Sequence, residues 1–224
     1  MNAGPGSVLA DLHMHSAHSW DCTTPIDELL DSALAAGLGA LAVTDHNTIA
    51  GGVEARARAI ECGLPLHVVV GSEIKTAEDG EVIGLFLHEE VPRGLTFAET
   101  LERIRAQGGL VYMPHPFDRF HATPARALLE EHAGAIDVFE TANARLWLER
   151  DNRAAEHFAQ EYGLRRGAGS DAHVPAGIGT AALRLAPFED PTSFLSAVDG
   201  AEIVRKPRSM LRLQLEKRRR QRSK

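Results

Sequence analysis

A chain of 224 residues, 44% hydrophobic and 25% charged with a formal net charge of -7, has the composition of a globular protein. It is long enough to bury an apolar core without disulfides or structural metals. No run approaches the roughly 20 apolar residues that span a bilayer, and residues 1–7 lack both the basic and the apolar region of a leader; a cytoplasmic protein without a membrane partner is expected. Cys22 and Cys62 form no paired motif, which argues against a disulfide framework or a thiolate zinc site.

Strand-length apolar runs alternate with helical patterns, the signature of repeated β-α units around a mostly parallel sheet. Residues 8–12 read as the first strand. A helix follows, with Thr24 as N-cap, Pro25 at the first helical position and Asp27 completing a capping-box-like spacing, and Gly37 suits its end. Residues 41–44 and 67–72 read as strands around a helix at 53–61. The run 81–87 is reached through the turn dipeptide Asp79-Gly80, so it and the preceding strand are candidates for a hairpin that breaks the alternation. Helices at 97–105, 124–131 and 146–162 then alternate with strands at 110–113, 136–139 and 165–168, with Trp147 and Phe158 expected in the core.

A late strand at 203–205 and a terminal helix at 211–220 complete the pattern. No low-complexity linker interrupts it, so 1–224 reads as one domain, with the chemistry-bearing motifs in 11–180 and a closing segment at 181–224. The tail residues Lys217, Arg218, Arg219, Arg220, Arg222 and Lys224 read as a solvated helix end in preference to a nucleic-acid contact, because basic runs are weak evidence.

In β-α barrels the catalytic groups gather at the carboxyl ends of the strands. Here those ends carry His13 and His15, then Asp45 and His46, Glu73, His88, His115, Glu140, and finally Asp171 and His173. Two histidines two residues apart in extended backbone point to one side and can share a metal ion. A lone His-x-His pair is as readily two ordinary histidines; recurrence at successive strand ends is what packing does not explain.

The segments Asp11-Leu12-His13-Met14-His15-Ser16, Thr44-Asp45-His46-Asn47-Thr48, Gly71-Ser72-Glu73-Ile74, Pro114-His115-Pro116 and Gly169-Ser170-Asp171-Ala172-His173 resemble, in order, the motifs of the PHP (polymerase and histidinol phosphatase) family of metal-dependent phosphoesterases. The resemblance implies a distorted seven-stranded (βα)7 TIM-like barrel holding two or three divalent metal ions, with Mn, Zn, Fe and Mg all open. It implies that His13, His15, Glu73 and Asp171 bind a first ion. Glu73 would bridge to a second that takes His115, with His88 either a further ligand or a solvent-facing histidine. Asp21, His46 and His173 would hold a third ion; His18 competes with Asp21, which is preferred on spacing. Asp45 is expected to orient this loop without binding metal.

No Gly-x-Ser-x-Gly elbow, P-loop or Gly-x-Gly-x-x-Gly fingerprint is present, so serine hydrolases, P-loop nucleotidases and Rossmann dehydrogenases are poor rivals. A metal site lowers the pKa of bound water to about 7 and so supplies a hydroxide nucleophile for phosphate esters. Arg119 is the first choice for a phosphate-binding cation and His121 for a leaving-group acid, each balanced against an exposed salt bridge or surface histidine. Lys75, Asn143 and Arg145 are weaker candidates. The substrate expected is a small phosphorylated molecule or nucleotide, monoester or diester. Alternatives are an exonuclease-like hydrolase of oligonucleotide ends, a metal-dependent amidohydrolase and a non-catalytic metal-binding scaffold.

Overall fold

The computed structural model describes residues 6–77, 80–121, 123–206 and 209–222. Asp79 of the expected turn and Lys224 of the tail lie outside the described residues, as do residues 1–5. Among these residues nine strands, β1 (Val8–Met14), β2 (Ala40–Val43), β3 (His67–Lys75), β4 (Glu81–Leu85), β5 (Leu110–Met113), β6 (Val138–Asn143), β7 (Arg165–Gly169), β8 (Ala181–Leu185) and β9 (Glu202–Arg205), form one sheet. Its order is β7-β6-β5-β4-β3-β2-β1-β8-β9. Among the described residues seven α-helices accompany it: α1 (Ile26–Ala35), α2 (Ala50–Glu61), α3 (Phe97–Ala106), α4 (Arg126–Glu131), α5 (Glu149–Tyr162), α6 (Pro191–Asp199) and α7 (Met210–Arg222).

The sheet curls until its β7 end meets β1. Past β7, Asp171 donates its N–H to the His13 carbonyl at 2.7 Å, and His15 donates to the Ala172 carbonyl at 3.0 Å. The start of β1 is occupied on that same edge by β8, which pairs antiparallel from Val8↔Leu185 to Ala10↔Leu183. The architecture is therefore a nearly closed barrel and departs from the expected (βα)7 pattern. β4 runs antiparallel to both β3 and β5; β9 matches the late strand expected at 203–205, whereas β8, the antiparallel strand that joins it to β1, carries no strand expectation from the sequence.

Alternating side chains split the core in two. Ala10, Leu12, Ala42, Val69, Ile83, Tyr112, Val138 and Leu183 fill the interior, closed below by Phe188 and by Phe194 of α6. The opposite faces pack under the helices, with Leu29 and Leu30 of α1 on one side and Phe97, Ile104 and Phe158 on the other. Trp147, expected in the core, is 52% exposed.

Local signals were uneven guides. α1 begins at Ile26 with Pro25 in the cap position, and Thr24 makes no capping hydrogen bond. α3 instead carries a full capping box between Thr96 and Glu99, and α6, absent from the sequence reading, opens on Asp190 and Pro191 with a second box to Ser193. Among the described residues no helix is long and apolar enough to cross a membrane.

Candidate metal centre

Strict alternation along β1 would turn His13 and His15 away from the barrel, because Ala10 and Leu12 already point inward. The pairing of β1 with β2 shifts register between Asp11 and Met14. Such a bulge re-aims the side chains beyond it, and Met14 then packs outward against α1 while both imidazoles enter the barrel mouth. Asp11 holds the bulge to the far side of the seam by accepting from the Ser170 and Gly179 N–H groups, both at 2.9 Å. Burial raises its carboxyl to about 6, against the pull of those hydrogen bonds.

Around the pair the other strand ends converge. His13 Nε2 lies 3.5 Å from Glu73 Oε2 and 3.8 Å from Asp171 Oδ1; His15 Nε2 lies 3.4 and 3.5 Å from the same two oxygens. His115 Nε2 lies 2.9 Å from the other carboxylate oxygen of Glu73, Oε1, and His46 Nδ1 lies 3.2 Å from Oε2. Asp21 is 2.9 Å from His173 Nε2 and 3.6 Å from His46 Nε2. His115 and Asp171 sit at φ of 27° and 51°, backbone that non-glycine residues seldom adopt and that collects at functional sites.

The donor set fits divalent cations. His13 Nε2, His15 Nε2, His115 Nδ1, His173 Nε2 and Asp21 Oδ1 are buried without a hydrogen-bond partner, a costly arrangement for polar atoms unless something binds them. Three-ligand groupings with all donor atoms mutually within 4.8 Å include His15 with His46 and His173, His13 with His115 and Asp171, and His13 with His15 and Glu73. Electrostatics agree. Burial alone would depress His13, yet Asp171, Glu73 and Glu140 hold it well above its ordinary range. Glu73 likewise outweighs burial and holds His115 up to about 9. His173, by contrast, is lowered to about 3 by burial and by the neighbouring His15 and Arg145. The carboxylates thus draw positive charge to the cluster, and a metal answers that demand.

A second layer fixes these side chains. Asp45 accepts from the Ser16 N–H at 2.7 Å, the Ser16 hydroxyl at 2.6 Å and the Ser19 hydroxyl at 2.7 Å. Ser19 Oγ in turn lies 3.1 Å from His15 Nδ1 and accepts from the His46 N–H at 3.1 Å. Glu140 spans the floor, reaching His13 Nδ1 at 3.2 Å and accepting from the His115 N–H at 2.7 Å.

Two candidate site residues are placed away from the cluster. His88 follows the end of β4, and because β4 is antiparallel that end lies at the opposite mouth of the barrel; its N–H is bonded to Gln107 there. The reversed strand brings its first residue, Glu81, to the site instead, 3.5 Å from His46. The hairpin signal was the clue, since reversing a strand exchanges its two ends. Arg119 is turned onto Asp151 at 2.8 Å, half-exposed, so its salt-bridge reading describes the geometry. Arg145 takes the place of a cation at the site, 3.2 Å from Asp171. His18 pairs with Glu54, away from the cluster.

A pocket of about 380 Å³ opens over the cluster, its walls completed by Trp20, Glu81, His121, Arg145, Lys217 and Gln221. His121 is anchored through Nδ1 on Asp118. Lys217 belongs to the tail read as solvated, and its Nζ is 2.8 Å from Asp21.

A nearly closed α/β barrel with a mouth of clustered imidazoles and carboxylates defines a metal-binding protein of the hydrolase kind. The PHP domain family model matches residues 11–162 and the PHP-associated model residues 149–202. The chain belongs to the PHP family of metal-dependent hydrolases. It is 41% identical over 140 residues to an uncharacterized protein of Methanocaldococcus jannaschii, covering 58% of this chain and 80% of that one. It is 31% identical over 168 residues to the 5'-3' exoribonuclease Rnm of Escherichia coli, covering 62% of this chain and 55% of that one. In fold it resembles a two-domain Bacteroides vulgatus protein containing a predicted PHP-like metal-dependent phosphoesterase, with a TM-score of 0.68, 20% identity and coverage of 94% and 70%.

Proposed function

We propose that this protein is a metal-dependent phosphoesterase that hydrolyses phosphomonoesters or phosphodiesters of small molecules or nucleotides. The observation that carries this reading is the buried set of unpartnered ligand atoms opening into a pocket whose remaining cations, Arg145 and Lys217, face it. His13, His15, Glu73 and Asp171 would hold one ion, Glu73 and His115 a second, and Asp21, His46 and His173 a third. Bound divalent ions supply the positive charge that activates water and stabilises charge developing on phosphorus.

The chain's own groups do the rest. Arg145, braced on Asp171, meets phosphoryl oxygens with a planar fork of donors. His121, held through one ring nitrogen by Asp118, offers the other to the leaving oxygen as a proton donor. Trp20, 83% exposed at the mouth with its ring 6.1 Å from that of His46, offers a stacking surface for a base. That favours nucleotides or oligonucleotide ends within the substrate class, in keeping with the exoribonuclease activity in the name of the Escherichia coli relative.

The test is metal analysis of the purified protein with a phosphate-release screen over nucleotides, sugar phosphates and histidinol phosphate, for wild type and His13→Ala. Two or three metals per chain and release lost in the variant are expected. Hydrolysis of amides but not of phosphate esters would overturn the reading in favour of an amidohydrolase, and a metal-binding protein inert toward every ester would favour a scaffold.

A further inference from the structure

α7 buries none of its residues, yet one of its faces lies on the barrel. Met210, Leu213, Gln214, Lys217 and Gln221, at positions i, i+3, i+4, i+7 and i+11, share a single helical face. The first four enclose a small cavity with Arg145 and the 170–177 segment. Farther along, Gln221 Nε2 donates to the Asp21 carbonyl at 2.9 Å, and Arg220 pairs with Glu28 of α1. The helix therefore runs along the rim of the metal centre and hangs one ammonium group into the pocket.

That ammonium is the anomaly. Arg218 and Arg219 stand exposed, whereas the Lys217 side chain is 14% exposed, and withdrawing a charge from water carries a cost. Its partner Asp21, 2.8 Å away, is not its alone. Asp21 Oδ2 also lies 2.9 Å from His173 Nε2, and Oδ1 lies 3.6 Å from His46 Nε2, so Asp21 belongs to the histidine cluster as well as to Lys217. Cations held at the centre would share the carboxylate, and Lys217 would then stand beside positive charge with room for an anion before it. Among the described residues lining this pocket, Arg145 and Lys217 are the only Lys or Arg. A dianionic phosphoryl group between them satisfies both.

We propose that Lys217, delivered by the C-terminal helix, is a substrate-binding residue that takes the phosphoryl oxygens and favours dianionic terminal phosphates over monoanionic diesters. Attraction to a fixed ammonium scales with the ligand's charge, so the dianion gains more. The inference rests on the phosphoesterase reading and specifies which of its ester classes the site prefers.

The experiment is calorimetric titration of inorganic phosphate and of dimethyl phosphate into Mn-loaded full-length protein, for wild type, Lys217→Gln, Lys217→Arg and Arg218→Gln, with metal content measured in each. Lys217→Gln is expected to weaken inorganic phosphate at least tenfold and dimethyl phosphate far less, with metal content unchanged. Lys217→Arg should stay within about threefold of wild type, and Arg218→Gln should match it. Unchanged phosphate affinity in Lys217→Gln, or loss of metal in its place, overturns the role of Lys217 while leaving the phosphoesterase reading intact. A metal-loaded wild type that neither binds phosphate nor releases it from esters overturns both.

Discussion

Replacing Glu140 with glutamine alters no volume and removes one charge at the floor of the metal centre. Its two carboxylate oxygens serve four donors: Oε1 accepts from the Tyr112 hydroxyl at 2.9 Å and faces His13 Nδ1 at 3.2 Å, while Oε2 accepts from the His115 N–H at 2.7 Å and Asn143 Nδ2 at 2.9 Å. A glutamine amide accepts on one side only. Whichever way it is turned, two of the four donors meet an NH2 group. Each buried donor left unsatisfied costs about 1–3 kcal/mol, so the pair costs about 2–6 kcal/mol. For a chain of this size each kcal/mol is worth about 2–4 °C in Tm, which places the loss in the metal-free protein at about 4 °C or more. Metal affinity should fall about 10–100-fold as well, because Glu140 sets the orientation of the His13 ring. Thermal denaturation followed by circular dichroism and an equilibrium metal titration measure the two effects. A variant with wild-type Tm and wild-type affinity would refute the role assigned to Glu140.

A Cβ at Gly169 would overlap the side chains of His13 and Glu140, so Gly169→Ala should open the seam between β7 and β1 and lower both stability and metal content; a well-folded, fully loaded variant would contradict the packing. His88→Ala should leave metal stoichiometry at the wild-type value, whereas His46→Ala should reduce it, as elemental analysis of the two proteins would show. Burial, then the charge of Glu73, raises the Glu81 carboxyl to about 7. Metal must displace its proton below that pH, so metal affinity should weaken from pH 8 to pH 6, and Glu81→Gln should flatten the slope. In metal-free protein the same group acts in the opposite sense: the folded state holds this proton more tightly than the unfolded one, so its stabilisation is complete below about pH 4.5 and fades as pH rises through 7. Arg145→Ala should raise KM for phosphate esters at least tenfold, while Arg119→Ala, removing only a half-exposed pair with Asp151, should leave it within about twofold.

What was legible in the sequence was what local chemistry encodes. Apolar runs such as 67–72 and helical spacing such as 146–162 report a residue's own strand or helix, because burial of one face is written into the chain at period two or 3.6. The histidines and carboxylates at the carboxyl ends of β1, β2, β3, β5, β6 and β7 were legible for the same reason: parallel strands all present those ends to one mouth, so position along a strand predicts position in space. That inference fails where a strand reverses. β4 exchanges His88 for Glu81, and the deciding fact is the antiparallel pairing of Glu73 with Ile83. The bulge that turns His13 and His15 inward is likewise a property of the β1–β2 register and of Asp11 reaching across 159 positions to Ser170. Competition among partners also lies beyond local reading. Arg119 is captured by Asp151 on α5, Arg145 is left to the centre, and Lys217 of a basic tail is drawn to Asp21 across 196 positions. A charged side chain takes the nearest partner in space, and nearness in space is settled only when the strands have paired and the barrel has closed.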